Sequence, residues 1–302
     1  MVEPDRPDAR DEAPLEIDTA PPVVGGLAIW LERTRVARGR IEEARSRHSS
    51  LDLGFNVVEH DAKIGGGLLA GALAYRFFVL LLPTALLFVS GIGLYADAAD
   101  KSTREAAGDA GLQGLIASQV ATTASGRAQW AVFVVMVPAA LYAATRLYRA
   151  IAITHAIAWL GSGRGVRVTP RGVGLLIAML LMTVVAVEIG GWVRRHSQLG
   201  GLVALLVYVV LVGGAWLVLS RELPRREVDW TALLPGAVVV GAGLLLVNVF
   251  NVYVTTRLVE DRADTYGALG IAAALLFSLV LVGRVIVVSA ELNAELDERR
   301  RR

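Results

Sequence analysis

The chain has 302 residues, is 55% hydrophobic and carries a formal net charge of only +2, with a mean hydropathy of +0.55. An ordinary water-soluble domain of this length is seldom so apolar, so composition excludes that class and points to the membrane. Cysteine is absent, which excludes disulfides, thiolate metal sites and thiol redox switches.

In chain order, residues 1–26 place Pro4, Pro7, Pro14, Pro21 and Pro22 among Asp and Glu. Such a stretch buries too little apolar surface to offset ordering, and reads as a disordered acidic tail. It has neither the basic start nor the apolar centre of a cleavable signal, so the first spanning helix is expected to direct insertion. Residues 27–64 are expected to hold a cytoplasmic basic amphipathic helix followed by a connector. Leu27, Trp30, Leu31, Ile41 and Ala44 recur at helical spacing, with Arg33, Arg35, Arg38, Arg40, Arg45 and Arg47 between them. The helix suits either an anionic leaflet or the membrane domain's own inner face. Residues 51–63 read as the connector.

The membrane domain is expected over 65–296. Between Ile64 and Ala96 the only charge is Arg76, and an apolar run of this length exceeds the roughly 20 residues that cross a bilayer. Further apolar stretches bring the predicted spans to six, near 66–96, 129–150, 172–192, 200–219, 233–254 and 266–290. The second continues amphipathically past Arg146 and Arg149 to Leu160. Residues 297–302 form a basic tail.

Loop charge sets the expected orientation. Arg146, Arg149, Arg164, Arg167 and Arg171 fall in 146–171 without an acid, Arg221, Arg225 and Arg226 in 220–232, and Arg299, Arg300, Arg301 and Arg302 at the C-terminus. The 97–128 and 255–265 loops balance their positives with acids; Arg194 and Arg195 alone dissent. The positive-inside rule then places both termini in the cytoplasm, which requires an even number of spans. The fold class expected is an all-α polytopic integral membrane protein in a bacterial inner membrane.

Charged groups within spans are costly and tend to mark pathways or pairs. Arg76, Arg146 and Arg284 fall in the inner halves of their spans, Arg149 near the inner surface, and Glu291 two turns from Arg284 on the same face. One reading has them line a cytoplasm-facing cavity that binds an anionic headgroup or solute, since guanidinium forks match phosphate and carboxylate. The other has Arg146 and Arg284 reach for the interface and Arg76 pair with Glu291 or Glu59. In the outer halves, Glu188, Asn248 and Asn251 form a candidate polar cluster, as a proton-coupling site or as interhelical hydrogen bonds. Pro83 removes a helix hydrogen bond. Gly67 and Gly71 form a GxxxG pair, for packing or as a hinge. The G-S-G-R-G run at 161–165 lacks the strand and the Lys-Ser/Thr of a phosphate loop, and reads as a turn. His48, His60, His155 and His196 are scattered without metal spacing. No metal, cofactor or nucleic acid is expected, because the arginine clusters follow topology.

A set of short motifs adds a resemblance. A-L-A-Y-R at 72–76 with Pro83 after it, P-G-A at 235–237, Y-G-A-L-G at 266–270 and A-E-L-N-A-E-L at 290–296 resemble, in order and spacing over about residues 55–296, the YihY/BrkB family of bacterial inner-membrane proteins. The resemblance implies six spans with cytoplasmic termini and little chemistry. Family labels include virulence factor and, by an older assignment, ribonuclease. A nuclease needs clustered carboxylates or histidines in an aqueous domain, which the sequence does not offer. The favoured reading is a non-enzymatic protein that transports, flips or senses an anionic lipid or solute, with membrane lipids as its partners. An envelope scaffold is the alternative, and a membrane-embedded enzyme the remote one.

Overall fold

The computed structural model describes residues 49–103, 105, 129–196, 200–251 and 256–302. The acidic tail at 1–26, the basic helix at 27–48 and most of the 97–128 loop lie outside these. The chain divides into two units at Leu53/Gly54, and the packing described below belongs to the unit that begins at Gly54.

The elements are α1 (Ser49–Ile64), α2 (Gly66–Ala98), α3 (Gln129–Leu160), α4 (Pro170–His196), α5 (Gly200–Ser220), a 3-10 turn (Trp230–Leu233), α6 (Leu234–Phe250) and α7 (Thr256–Arg301). No strand occurs among the described residues. Among the described residues, six stretches are long and apolar enough to cross a membrane: Gly66–Ala98, Gln129–Leu160, Pro170–Gly191, Gly201–Ser220, Trp230–Phe250 and Ala272–Arg301. The six predicted spans therefore correspond one to one, with shifted ends.

Those shifts have physical causes. Residues 51–63, read as a connector, are helical in α1. Val57 and Asp61 face the same way one turn apart, and Glu59 pairs with Lys63 at 2.9 Å on the exposed side. Most of the segment read as the 255–265 loop forms the first turns of α7. At the other end the helix continues through the basic tail to Arg301. There Glu295–Arg299 (3.1 Å), Asp297–Arg301 (2.9 Å) and Glu298–Arg302 (2.6 Å) place each acid one turn before its base, the favourable order relative to the helix dipole. The extension of α3 to Leu160 follows its inner stripe. Leu147, Tyr148, Ile151, Ala152 and His155 are buried while Arg146 and Arg149 are exposed.

Cross-links at one end of the bundle fix the alternation of helix direction. Tyr148 late in α3 donates to the carbonyl of Glu222, just past α5, at 3.3 Å. Arg171 at the start of α4 pairs with the same Glu222 at 3.3 Å. Arg301 near the end of α7 donates to the carbonyl of Glu227 at 3.3 Å. The ends of α3, α5 and α7 and the start of α4 thus meet at one end of the bundle, the basic end.

The last span is the hub, packing on α2, α3 and α6, while α2 pairs with α3, α4 with α5 and α5 with α6. The main core joins Leu73, Leu147, Ile151, Leu176, Trp216 and Ile286. A second cluster of Trp159, Leu233 and Ala290 closes it near the basic end. Close helix approach, rather than apolar bulk, organises the contacts, as expected where lipid is as apolar as the core. A Cβ on Gly283 would meet the backbone of Ala70, and one on Gly241 the carbonyl of Val209. The GxxxG pair works differently from the sequence reading: beside both Gly67 and Gly71 the space is open, and the tight position is Gly66. Large apolar side chains such as Leu68, Leu82, Leu202, Leu206 and Leu246 are exposed, which suits a surface bathed in hydrocarbon.

Candidate functional site

Two of the motifs that carry the family resemblance, P-G-A and A-E-L-N-A-E-L, meet in space. Asn293, in A-E-L-N-A, accepts a hydrogen bond from the backbone N–H of Gly236, in P-G-A, at 2.7 Å, and donates to the carbonyl of Leu233 at 3.3 Å. One buried amide thereby satisfies a free N–H in the first turn of α6 and a carbonyl of the 3-10 turn. Pro235 supplies a residue with no N–H to satisfy. Gly236 has to be glycine here, because a Cβ would strike Asn293 and the carbonyl of Ser289. From A-L-A-Y-R, Leu73 and Ala74 are buried on the helix that packs against α7.

Beside this joint lies a cavity of about 650 Å³ between the 161–169 and 221–229 loops at the basic end. Two turns shape it. Gly161 closes α3 in the left-handed conformation (φ 70°), its N–H bonded to the carbonyl of Ile157 at 3.0 Å. Thr169 then opens α4, its hydroxyl accepting from the N–H of Gly172 at 3.1 Å, with Pro170 in the first turn. The G-S-G-R-G run is thus a turn, as its sequence context suggested.

The cavity is lined by Arg164, Arg167, Arg225 and Arg226 against Glu222 and Glu227. No carboxylate among the described residues pairs with Arg164, Arg167 or Arg226. Arg225 is half-buried; its Nη1 donates to the carbonyls of Ser220 (3.2 Å) and Arg221 (2.5 Å) while its Nε is buried without a partner. Burial, and then the charge of Arg221, push the Arg225 guanidinium below its ordinary value, with Glu222 opposing. An anion in the cavity would offset the repulsion between Arg225 and Arg221. Beneath it, His155 sits against Trp216 with ring centroids 5.7 Å apart, and His155 Nε2, Trp159 Nε1 and Trp216 Nε1 are buried without partners.

The arginines chosen from sequence are placed differently from one another. Arg284 is gripped by Asp61 through two bonds of 2.6 and 2.8 Å. Arg146 is exposed, stacked 5.0 Å over the ring of Tyr142 and bonded to its hydroxyl at 3.0 and 2.8 Å. Arg149 is exposed on the same helix face. Arg76 is half-buried, 5.7 Å from the centroid of the Tyr75 ring. It pairs with neither Glu59 nor Glu291, and has no carboxylate partner among the described residues. Glu291 is fully buried near the Asp61–Arg284 pair. The lining of the basic cavity is a separate set, whose arginines sequence reasoning had treated as topology signals alone. The available clue was that two acid-poor loops on one side of an up-and-down bundle must be neighbours.

The outer polar residues also separate. Asn251 accepts from Ser278 at 2.5 Å and Asn248 is within hydrogen-bonding reach of Tyr208, so both asparagines bridge helices. Glu188 is exposed on α4 and bonds to no described residue. Pro83 is buried within α2. No group of three or more His, Asp or Glu with metal-binding geometry occurs among the described residues.

Comparison with known proteins agrees with the motifs. No curated protein and no solved structure matches the chain. The family model described as virulence factor BrkB matches residues 61–302, from the C-terminal turn of α1 through every span to the last residue. With six apolar helices among its described residues and two of its motifs joined through Asn293, the chain is a multi-pass membrane protein of the virulence factor BrkB family.

Proposed function

We propose that this protein binds an anionic group, a lipid headgroup or a small anionic solute, at its cytoplasmic face, and transports, flips or senses it there. The observation that carries the reading is the cavity of about 650 Å³ with four arginines and two glutamates in its lining. A scaffold would pair such charges off, whereas among the described residues Arg164, Arg167 and Arg226 form no ion pair, Arg226 lying only within electrostatic reach of Glu298, and Arg225 keeps a buried, unpartnered N–H. Guanidinium forks favour phosphate and carboxylate oxygens over neutral groups. The basic end faces the cytoplasm on this reading, because its loops hold the surplus of arginine.

The test is binding and scrambling of labelled anionic phospholipid by protein reconstituted into vesicles of neutral lipid. Removing one charge-assisted hydrogen bond costs about 1.5–3 kcal/mol, so Arg164→Gln or Arg167→Gln should weaken binding about tenfold or more. The double variant should abolish scrambling. Arg76→Leu should insert normally, bind at the cavity, and fail to scramble. Unaltered binding in the double variant would sink the reading.

A further inference from the structure

Among the described residues, Glu291 is the buried acid that neither the fold nor the basic cavity employs. It belongs to A-E-L-N-A, its exposure is 0%, and both carboxyl oxygens are buried without a hydrogen-bond partner. The neighbouring hydroxyl and amide are occupied elsewhere, and Asp61 lies close enough to share a proton bound to Glu291. Asn293 holds Gly236 and Leu233, and the hydroxyl of Ser289 bonds to the carbonyl of Ile286 at 2.9 Å. Arg284, two turns away on the same face, directs its fork at Asp61 with bonds of 2.6 and 2.8 Å.

The charged surroundings are few. From α1, Asp61 is within electrostatic reach of Glu291, and from α7 itself Arg284 is. His60 of α1 lies toward Glu298. In α2, residues 66–74 contain no titratable side chain, nor do residues 230–236 of the 3-10 turn and α6. On α3, Arg146 and Arg149 are exposed, Tyr148 bonds to the carbonyl of Glu222, and the buried His155 has its ring tilted against that of Trp216. One guanidinium thus faces two carboxyl groups. If both were ionised, one charge would stay buried and uncompensated, at a cost of several kcal/mol. A proton on Glu291 removes that cost.

We propose that Glu291 is a proton-binding site that governs the docking of α1 on the last span. With the proton bound, Glu291 is neutral, Arg284 belongs to Asp61, and the C-terminal turn of α1 is held. When the proton leaves to water at the membrane surface, the new carboxylate draws Arg284 toward itself. The two bonds to Asp61 break, Asp61 turns to solvent, and α1 loses its charge-paired link to α7 while the bond from Asn56 to Glu295 (3.3 Å) remains. The total charge of the three groups falls by one, and the proton passes to buffer. Geometry sharpens the switch: a Cβ on Gly66 would collide with the Asp61 carboxylate and crowd Arg284, so the docked pair fits only over this glycine. The αL turn at Gly65 (φ 69°) is the hinge between α1 and α2. This inference is independent of the anion reading.

The absence of cysteine permits a clean test in the full chain. Spin labels at Val58→Cys, 66% exposed on α1, and Arg300→Cys, exposed near the end of α7, report their separation in lipid nanodiscs across a pH titration. The separation should lengthen with rising pH along a single-proton curve. Glu291→Gln should hold it short at every pH, and Asp61→Asn should hold it long. In parallel, the infrared difference between parent and Glu291→Gln should show a protonated-carboxyl component that disappears with the same pH dependence as the distance change. A separation insensitive to pH in the parent protein, an unchanged titration in Glu291→Gln, or the absence of that difference component would each overturn the proposal.

Discussion

A single hydrogen atom decides Gly66. Its Cα sits beneath the Asp61–Arg284 pair, and any Cβ would overlap the carboxylate. Its neighbour Gly67 has open space where a Cβ would go. Gly66→Ala should therefore destabilise the protein by about 1–3 kcal/mol, the usual cost of overpacking a tight site. Gly67→Ala should be neutral or slightly stabilising, because alanine is the better helix former. Thermal unfolding of the two variants in detergent checks the contrast, and equal effects would show that the pair does not rest on Gly66. Both glycines read alike in the sequence. What separates them is the partner above each, an acid and an arginine 223 positions apart in the chain.

Among the elements, α7 does the most joining. It crosses α2 where Gly283 meets Ala70, and it caps α6 through Asn293. An unsatisfied cap costs about 0.5–2 kcal/mol, and here the amide also holds a carbonyl of the preceding turn. Asn293→Ala should thus lose about 2 kcal/mol or slightly more, whereas Asn293→Asp, which keeps the acceptor for Gly236, should lose less. Proteolysis of the 221–229 loop reports the same event locally, since that loop is fastened to the end of α7 by Arg301 and Glu227. Cleavage should quicken in Asn293→Ala; an unchanged rate would mean that the motif joint does not hold the start of α6.

For the whole molecule, the loops at the basic end set the expected orientation. A reporter fused after Arg302 should be active only in the cytoplasm. Reversing the surplus, with Arg164, Arg167, Arg225 and Arg226 all changed to Glu, should raise the externally facing fraction. A C-terminal reporter active outside the cell in the parent protein would reverse the orientation, and would place the basic cavity on the far face from the anionic cytoplasmic leaflet.

Hydrophobicity alone settled the number of spans, because bilayer thickness imposes one length on every crossing helix whatever its neighbours. The short motifs were also legible, as residues of a recognisable order. Their purpose was not: Asn293 finds Gly236 and Leu233 only after two helices have packed. The candidate site was legible in kind, since arginine at the basic end was expected, but not in membership. Nothing in the sequence joins Arg284 to Asp61, which lies in a stretch without an apolar period of its own, and Arg164 and Arg167 carry only a topology signal. Composition and period act along the chain and can be read from it. Which guanidinium meets a carboxylate, and which is left facing a cavity, depends on contacts between residues far apart in sequence, and only packing decides those.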